Sequence, residues 1–428
     1  MVREYHGNGE AMTFKHHMRW LTGAATTELP IKPGTPMAGY LAREGPAEAT
    51  HDPLTLSAFV VMSDGSLFVL LAVDLLGVDR ELVEEIAREA GVAPETIALA
   101  ASHTHSGPVG IIRGSHPGDG APVDPVLRAR FVATCGQTVR SAMARMEPAD
   151  VSIGTSEAIG VAANRNDRFG PFDPTVTVIQ ASGLTGSSIA TIVHFACHPT
   201  ILPAESRVIS AEFPGVLRRE LGASIPGAIF FINGAAGDIS TRFTRTDQDY
   251  QEVERVGSVL ASATLQALET ARVIEGELAR GFVSVNLPVR GASDVEQASE
   301  LAIAAEQRMA TGLLSTAELR IEQTRIQGAL LLERMAATDM SHVRRSIQVP
   351  WWRLGDLRLL GIPGELFASL GAAIVESLPD TLILGYTNGS IGYLPDRAAY
   401  DAGLYEALAS PYAAGAGEQL VETLIGKL

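Results

Sequence analysis

The histidines at 103 and 105 lie one residue apart in the segment 101–110, ASHTHSGPVG, directly after an apolar run at 96–101, TIALAA, that reads as a buried strand. In open α/β folds the ligand crevice lies outside the carboxyl ends of the strands, and a rigid strand aims the side chains that follow it. If the backbone stays extended, His103 and His105 point the same way, because strand side chains alternate with a period of two. Paired imidazoles can bind a metal. The same pair also occurs in ordinary polar loops, and no His-Glu-x-x-His helix or Cys-x-x-Cys accompanies it here.

Three further apolar runs end in the same manner. IATIVHFA at 189–196 leads into Cys197-His198-Pro199-Thr200, AIFFI at 228–232 into NGAAGDIS at 233–240, and LRLLGI at 357–362 into PGELF at 363–367. Each run stops at a Gly- or Pro-bearing turn that carries His, Asp, Ser or Glu. This pattern predicts an α/β fold, a mixed β-sheet core with flanking helices, whose functional groups gather along one edge.

The elements that must hold these turns are also legible. The runs at 56–62 and 67–73 flank Asp64-Gly65 and read as a β-hairpin. Asp79 caps a helix whose Leu82, Ile86 and Ala90 form an apolar stripe, and a similar helix is expected over 124–146. Strands are expected at 174–181 and 187–196, and helices from about Phe213 and over 249–271. The stretch 295–335, rich in Ala, Leu, Glu, Gln and Arg and free of proline, predicts one long helix or a helical hairpin broken near Gly312. A second β-hairpin joins 347–352 to 357–362 across Gly355-Asp356. With no internal repeat or Pro-rich linker, the economical reading is a loose arm over 1–17 and a single catalytic unit over 18–428, interrupted by a helical insertion at about 295–338.

Taken in order, SHTHSGP, FACHPT, NGAAGDIS, IPGELF and TNGSIGYLPD resemble the catalytic domain of the neutral/alkaline, non-lysosomal ceramidases, which are zinc-dependent amide hydrolases. The early segment 23–40, ending in PMAGY, is similar to the first strand and glycine turn of that family, so the resemblance runs from about residue 20 to the C-terminus. It implies a Zn²⁺ site formed by His103, His198, Glu365 and Tyr393. For Glu365 the alternative is a carboxylate stabilising the head of the following helix; for Tyr393 it is a packed ring with its hydroxyl hydrogen-bonded. The family's Asn-x-Tyr-x-x-Tyr pattern reads Asn388-Gly-Ser-Ile-Gly-Tyr393 here, with Ser390 in place of the earlier tyrosine.

The resemblance makes His105 a catalytic or substrate-contacting residue, the alternative being an orienting partner of the metal site. It makes Ser240 the serine of a GDxS motif, although Thr241-Arg242 follow where the family has Pro-Asn, and a serine at a loop edge is otherwise a turn or cap residue. Arg165 and Tyr405 match positions that contact substrate near the metal. Asp238 reads as an orienting carboxylate, Asp74 as a weaker candidate for the same neighbourhood, and Cys197 as a small buried residue.

Composition narrows the partners. Across 428 residues, 33 Lys and Arg stand against 49 Asp and Glu, a formal charge of −16 without a basic run, which argues against nucleic acid and anionic membrane surfaces. Two cysteines make no disulfide framework or zinc ribbon. With no secretory signal core and no run of about 18 apolar residues, a cytoplasmic enzyme without stable membrane insertion is expected. The expected reaction is hydrolysis of an N-acyl amide by metal-activated water, on a soluble N-acylated amine or amino sugar at least as readily as on ceramide. An esterase or lactonase using the same site, and a non-catalytic metal- or carbohydrate-binding homologue, are the competing readings. Large acidic enzymes of this kind are often homo-oligomers, but no interface signature sets a stoichiometry.

Overall fold

The computed structural model describes residues 20–112, 122–314, 316–337 and 346–428; the arm expected at 1–17 lies outside them. Its main sheet runs in the order Ala228–Asn233, Ser188–Phe195, Thr175–Gly183, Glu147–Glu157, Trp20–Leu29, Leu54–Ser63, Ser66–Val73 and Ile97–Ala101, with Arg272–Val273 added beside Glu147–Glu157. The pairs at the two ends of the sheet are parallel and the interior pairs antiparallel. The sheet is therefore mixed, as the sequence predicts.

Both faces of this sheet are covered, which explains why its strands read as nearly continuous apolar runs. In Leu54–Ser63, Leu56, Ala58 and Val60 pack toward the helices Arg80–Ala90, Pro125–Met143, Phe213–Gly222 and Tyr250–Glu269. Phe59 and Val61, on the opposite face, join a second core with Trp352, Leu354, Leu359 and Leu384. Those residues belong to a second sheet of Leu278–Asn286, Ser346–Leu354, Leu357–Gly361 and Thr381–Leu384. Its outer face carries the helices Ala368–Ser377 and Ala416–Ile425. The result is helices, sheet, sheet and helices in four layers.

Local chemistry sets the boundaries. Asp64 (φ 47°) and Gly65 (φ 77°) both have positive φ and make the tight turn of the first hairpin. Asp79 accepts from Leu82 N at 2.6 Å, Asp124 from Val126 N and Leu127 N, Asp249 from Glu252 N and Asp396 from Ala399 N, so four of the described helices begin at a capping aspartate. The region 295–335 is a helix pair, Ala292–Ala310 and Thr316–Ala337, with Gly312 (φ 67°) in the connection.

The two edge strands of the main sheet approach each other at their carboxyl ends. Asn233 Nδ2 donates to Ser102 O (3.1 Å) and to Cys197 O (2.9 Å). Residues 385–388 strap the same two edges together: Gly385 N donates to Asn233 O, Ala101 N to Tyr386 O, and the Asn388 amide bonds both Leu99 N and Ile97 O. Turns from opposite edges of the sheet are thereby brought side by side.

Candidate metal centre

His103 follows the strand Ile97–Ala101, but its backbone does not stay extended. It has φ 66°, the left-handed region that a non-glycine residue seldom occupies. The expectation that alternation along a strand aligns the two histidines is corrected accordingly. A strained turn aligns them instead, and the Nε2 atoms of His103 and His105 end 3.2 Å apart. His105 is placed from behind by the PMAGY segment. Gly39 has φ 100°, and a Cβ there would lie 2.6 Å from His105 Cβ. The Tyr40 ring lies 5.0 Å from the His105 ring, and Arg43 donates to His105 O at 2.8 Å.

His198 comes from the other end of the sheet, past Ser188–Phe195, the strand next to the edge strand Ala228–Asn233. Its backbone bridges to Ser240, and its N–H donates to Ile239 O. Glu365 lies in the short strand Glu365–Leu366, paired in parallel with Tyr393–Leu394, so Glu365 and Tyr393 are register partners. The following helix starts at Ala368, and its N–H donates to Asp238 Oδ1 at 2.8 Å. Asp238, rather than Glu365, serves that helix head.

These side chains converge. His103 Nε2 is 3.3 Å and His198 Nε2 3.2 Å from Glu365 Oε2, and all of these residues are buried. Each ring is oriented through its other nitrogen. His103 Nδ1 lies 2.6 Å from Leu76 O and His198 Nδ1 3.1 Å from Ile239 O; a carbonyl only accepts, so both Nδ1 atoms carry the proton. Burial, aided by the charge of Arg165, pushes His198 down to about 3, so its ring is neutral at neutral pH. His198 Nε2 therefore presents a lone pair to a carboxylate oxygen, an arrangement that a cation relieves. His103, His105 and His198 form a group whose ring nitrogens could hold a metal ion, and the neighbouring carboxylate extends the donor set to one that suits a divalent cation.

One wall of the site is built around Arg165. Its Nε donates to Glu406 Oε1 at 2.6 Å, its Nη2 to Tyr393 Oη at 3.3 Å, and its guanidinium carbon lies 5.6 Å from the Tyr393 ring centre. Burial works against the guanidinium charge, and Glu406 and Tyr393 more than offset it. Burial, reinforced by Glu365, raises the Tyr393 phenol well above its ordinary value. Tyr405 packs edge-on to Tyr393 with ring centres 6.0 Å apart, and Leu331 of Thr316–Ala337 packs in the same cluster, so the helix pair covers this side.

A neutral ceramidase of Mycobacterium tuberculosis (strain ATCC 25618 / H37Rv) is 24% identical to this chain over 451 aligned positions, covering 86% of this chain and 70% of that protein. The crystal structure of neutral ceramidase from Pseudomonas aeruginosa superposes with a TM-score of 0.75 at 17% identity, over 95% of this chain and 74% of that one. A ceramidase complexed with C2 gives 0.74, also at 17% identity and with the same coverage. This chain is neutral-ceramidase-like in sequence and fold. No family model matches it.

Within this ceramidase-like fold the remaining sequence candidates take distinct places. Ser240 is buried beside His198, with its backbone paired to Ala163 and its Oγ accepting from Arg242 N at 3.2 Å. Asp74 stands apart, bound to Arg218, Thr55 N and Thr55 Oγ1. Cys197 is fully buried with its thiol pushed up by burial. Sequence reasoning missed three residues. Tyr386 (φ 53°) stacks on His103 with ring centres 4.0 Å apart, Asn233 ties the two histidine loops, and buried Glu406 holds Arg165. Asn233 stands inside a quoted motif and Glu406 directly after Tyr405, but Asn in a Gly-rich turn and Glu at a helix start are commonplace, so no signal marked them. Among the described residues no helix is long and apolar enough to cross a membrane.

Proposed function

We propose that this chain is a zinc-dependent hydrolase of N-acyl amide bonds. The observation that carries the reading is the convergence of His103 Nε2, His198 Nε2 and Glu365 Oε2, with both imidazoles fixed as Nδ1–H tautomers by backbone carbonyls. Such second contacts orient ligands and raise their basicity. Tyr393 is the proposed fourth ligand, since its strand pairs in register with Glu365. When bound, zinc supplies Lewis acidity at the scissile carbonyl and lowers the pKa of a water from about 15.7 toward about 7.

The protein's own groups supply the rest. Arg165, anchored by Glu406, directs its guanidinium toward Tyr393 and is placed to hold an acyl oxygen through its fork of donors. His105 Nε2, beside His103, is placed to deliver a proton to the leaving amine. The Ser240 hydroxyl accepts from Arg242 N and keeps its own proton available for the same purpose. Tyr405 and the covering helix Thr316–Ala337 shield this side from water. The ceramidase likeness supports an amide substrate, and the panel below runs from ceramide to N-acyl amino sugars.

The test is elemental analysis of wild type, His198→Ala and His105→Ala, paired with amine release from that panel and from matched esters. About one zinc per chain, lost in His198→Ala and kept in His105→Ala, with turnover lost in both, is the expected result. Loss of zinc in His105→Ala would make His105 a ligand. An active, metal-free wild type would overturn the reading, and faster turnover of the esters would move it to an esterase.

A further inference from the structure

Glu212 lies outside the metal cluster, yet it is fully buried and strained. Its φ of 56° and ψ of −147° belong to a region that favours glycine. Its main-chain N–H donates to Ser210 Oγ, and its carbonyl accepts from Gly215 N at the head of Phe213–Gly222. A glycine would satisfy that geometry without strain, and an apolar side chain would avoid burying a carboxyl group. The reason for a glutamate must therefore lie in what its carboxylate does.

The carboxylate clamps one histidine loop. Oε2 accepts from Ile201 N at 3.0 Å and Oε1 from Leu202 N at 3.1 Å, just beyond His198. Carbonyls of this same loop receive Tyr40 Oη at Leu202, Arg245 at Thr200 and His105 N at Pro199. The chain just before Glu212 holds the other histidine loop: Thr104 Oγ1 donates to Ser210 O at 2.9 Å, and Ser210 N to Ser106 O at 3.2 Å. Asp52 fixes this segment in turn, accepting from Ser210 Oγ at 2.6 Å and Ala211 N at 2.7 Å. The segment 210–212, ending in this strained residue, thus joins the 103–106 turn to the 198–202 turn. Burial raises its carboxyl to about 7, against the lowering effect of its two backbone bonds and of Arg245.

We infer that Glu212 is a positioning residue that sets the separation of the two histidine loops and thereby the affinity of the metal centre. The inference rests on the metal reading proposed above. It is tested by zinc affinity, measured by chelator competition on Glu212→Gln, Glu212→Gly and Glu252→Gln, with thermal melts of the metal-free proteins. Glu252 is the control, a buried carboxylate held by Arg255 and Thr246 outside either histidine loop.

Glu212→Gly, which relieves the backbone and removes both acceptors, should weaken zinc binding by about tenfold, the low end of the roughly 10- to 100-fold effects of residues that orient ligands. Glu212→Gln keeps one acceptor and should lose less, while Glu252→Gln should melt earlier with its zinc affinity intact. Zinc affinity at the wild-type level in both Glu212 variants would overturn the inference while leaving the metal site standing. Equal weakening in Glu252→Gln would reduce the effect to general destabilisation and also overturn it. A wild type that binds no zinc would remove the metal reading and this inference with it.

Discussion

Arg128 is buried and Arg165 nearly so, both are held by carboxylates, and they differ in what lies on the other side. Arg128 spends its donors inside a joint between helices. It bonds Asp79 at 2.6 and 3.0 Å, Glu85 at 3.0 Å and Ile111 O at 2.8 Å, and so locks Pro125–Met143 to Arg80–Ala90. Arg165 bonds Glu406 on one side and turns to Tyr393, the register partner of Glu365, on the other. Burial and ion pairing are common to both, so neither marks a functional site. The distinguishing feature is that one arginine ends in scaffold and the other ends at groups able to meet a ligand.

The comparison can be broken by substitution. Arg128→Ala leaves Asp79 buried without its partner and should cost about 3–5 kcal/mol in urea unfolding, while the zinc content of the folded protein stays unchanged. Loss of zinc in that variant would show that the helix joint reaches the site. Arg165→Ala should lower kcat/KM by about 100-fold, the scale of losing a donor to developing charge, with zinc retained. Wild-type turnover per folded molecule would make Arg165 scaffold like Arg128.

A finer distinction comes from Asp238, whose carboxyl burial raises to about 7 and whose oxygens accept from Asn164 Nδ2 and Ala368 N. Between its ordinary value near 3.8 and about 7 the folded protein holds a proton that the unfolded chain has released, so this group makes stability fall as pH rises through that window. Asp238→Asn should flatten the stability profile there by up to about 1.4 kcal/mol per pH unit. A profile of unchanged slope would sink the assignment.

Much of the layer structure was legible because its signals are local. The apolar runs at 56–62 and 67–73, the Asp-Gly turn and the Asp79 cap act over a few residues, and each forms where expected. The turns bearing His103, His198, Ser240 and Glu365 were legible as strand ends for the same reason. Their meeting was expected only from the shared pattern of the strand ends and from the ceramidase resemblance, because its physical basis is the closing of the main sheet's edges through Asn233 and residues 385–388. The left-handed turn at His103 was hidden, since tertiary contacts with Leu75 O and Leu76 O hold it against local preference. The second sheet was half visible: its hairpin across Gly355-Asp356 was read, whereas Leu278–Asn286, exposed at several positions, lacks a continuous apolar run.

The strap that closes the sheet has a consequence for how the protein is made. Asn388 Oδ1 reaches Leu99 N across 289 residues of chain, and Glu365 arrives from the same late region. Bringing such distant segments together carries an entropic cost that only the finished fold repays. During synthesis from the N-terminus, His103 and His198 emerge long before the carboxylate and the strap that complete their surroundings. A chain halted before residue 365 would carry the three histidines without their carboxylate neighbour, so on the zinc reading proposed above full-affinity zinc binding should report completion of the chain.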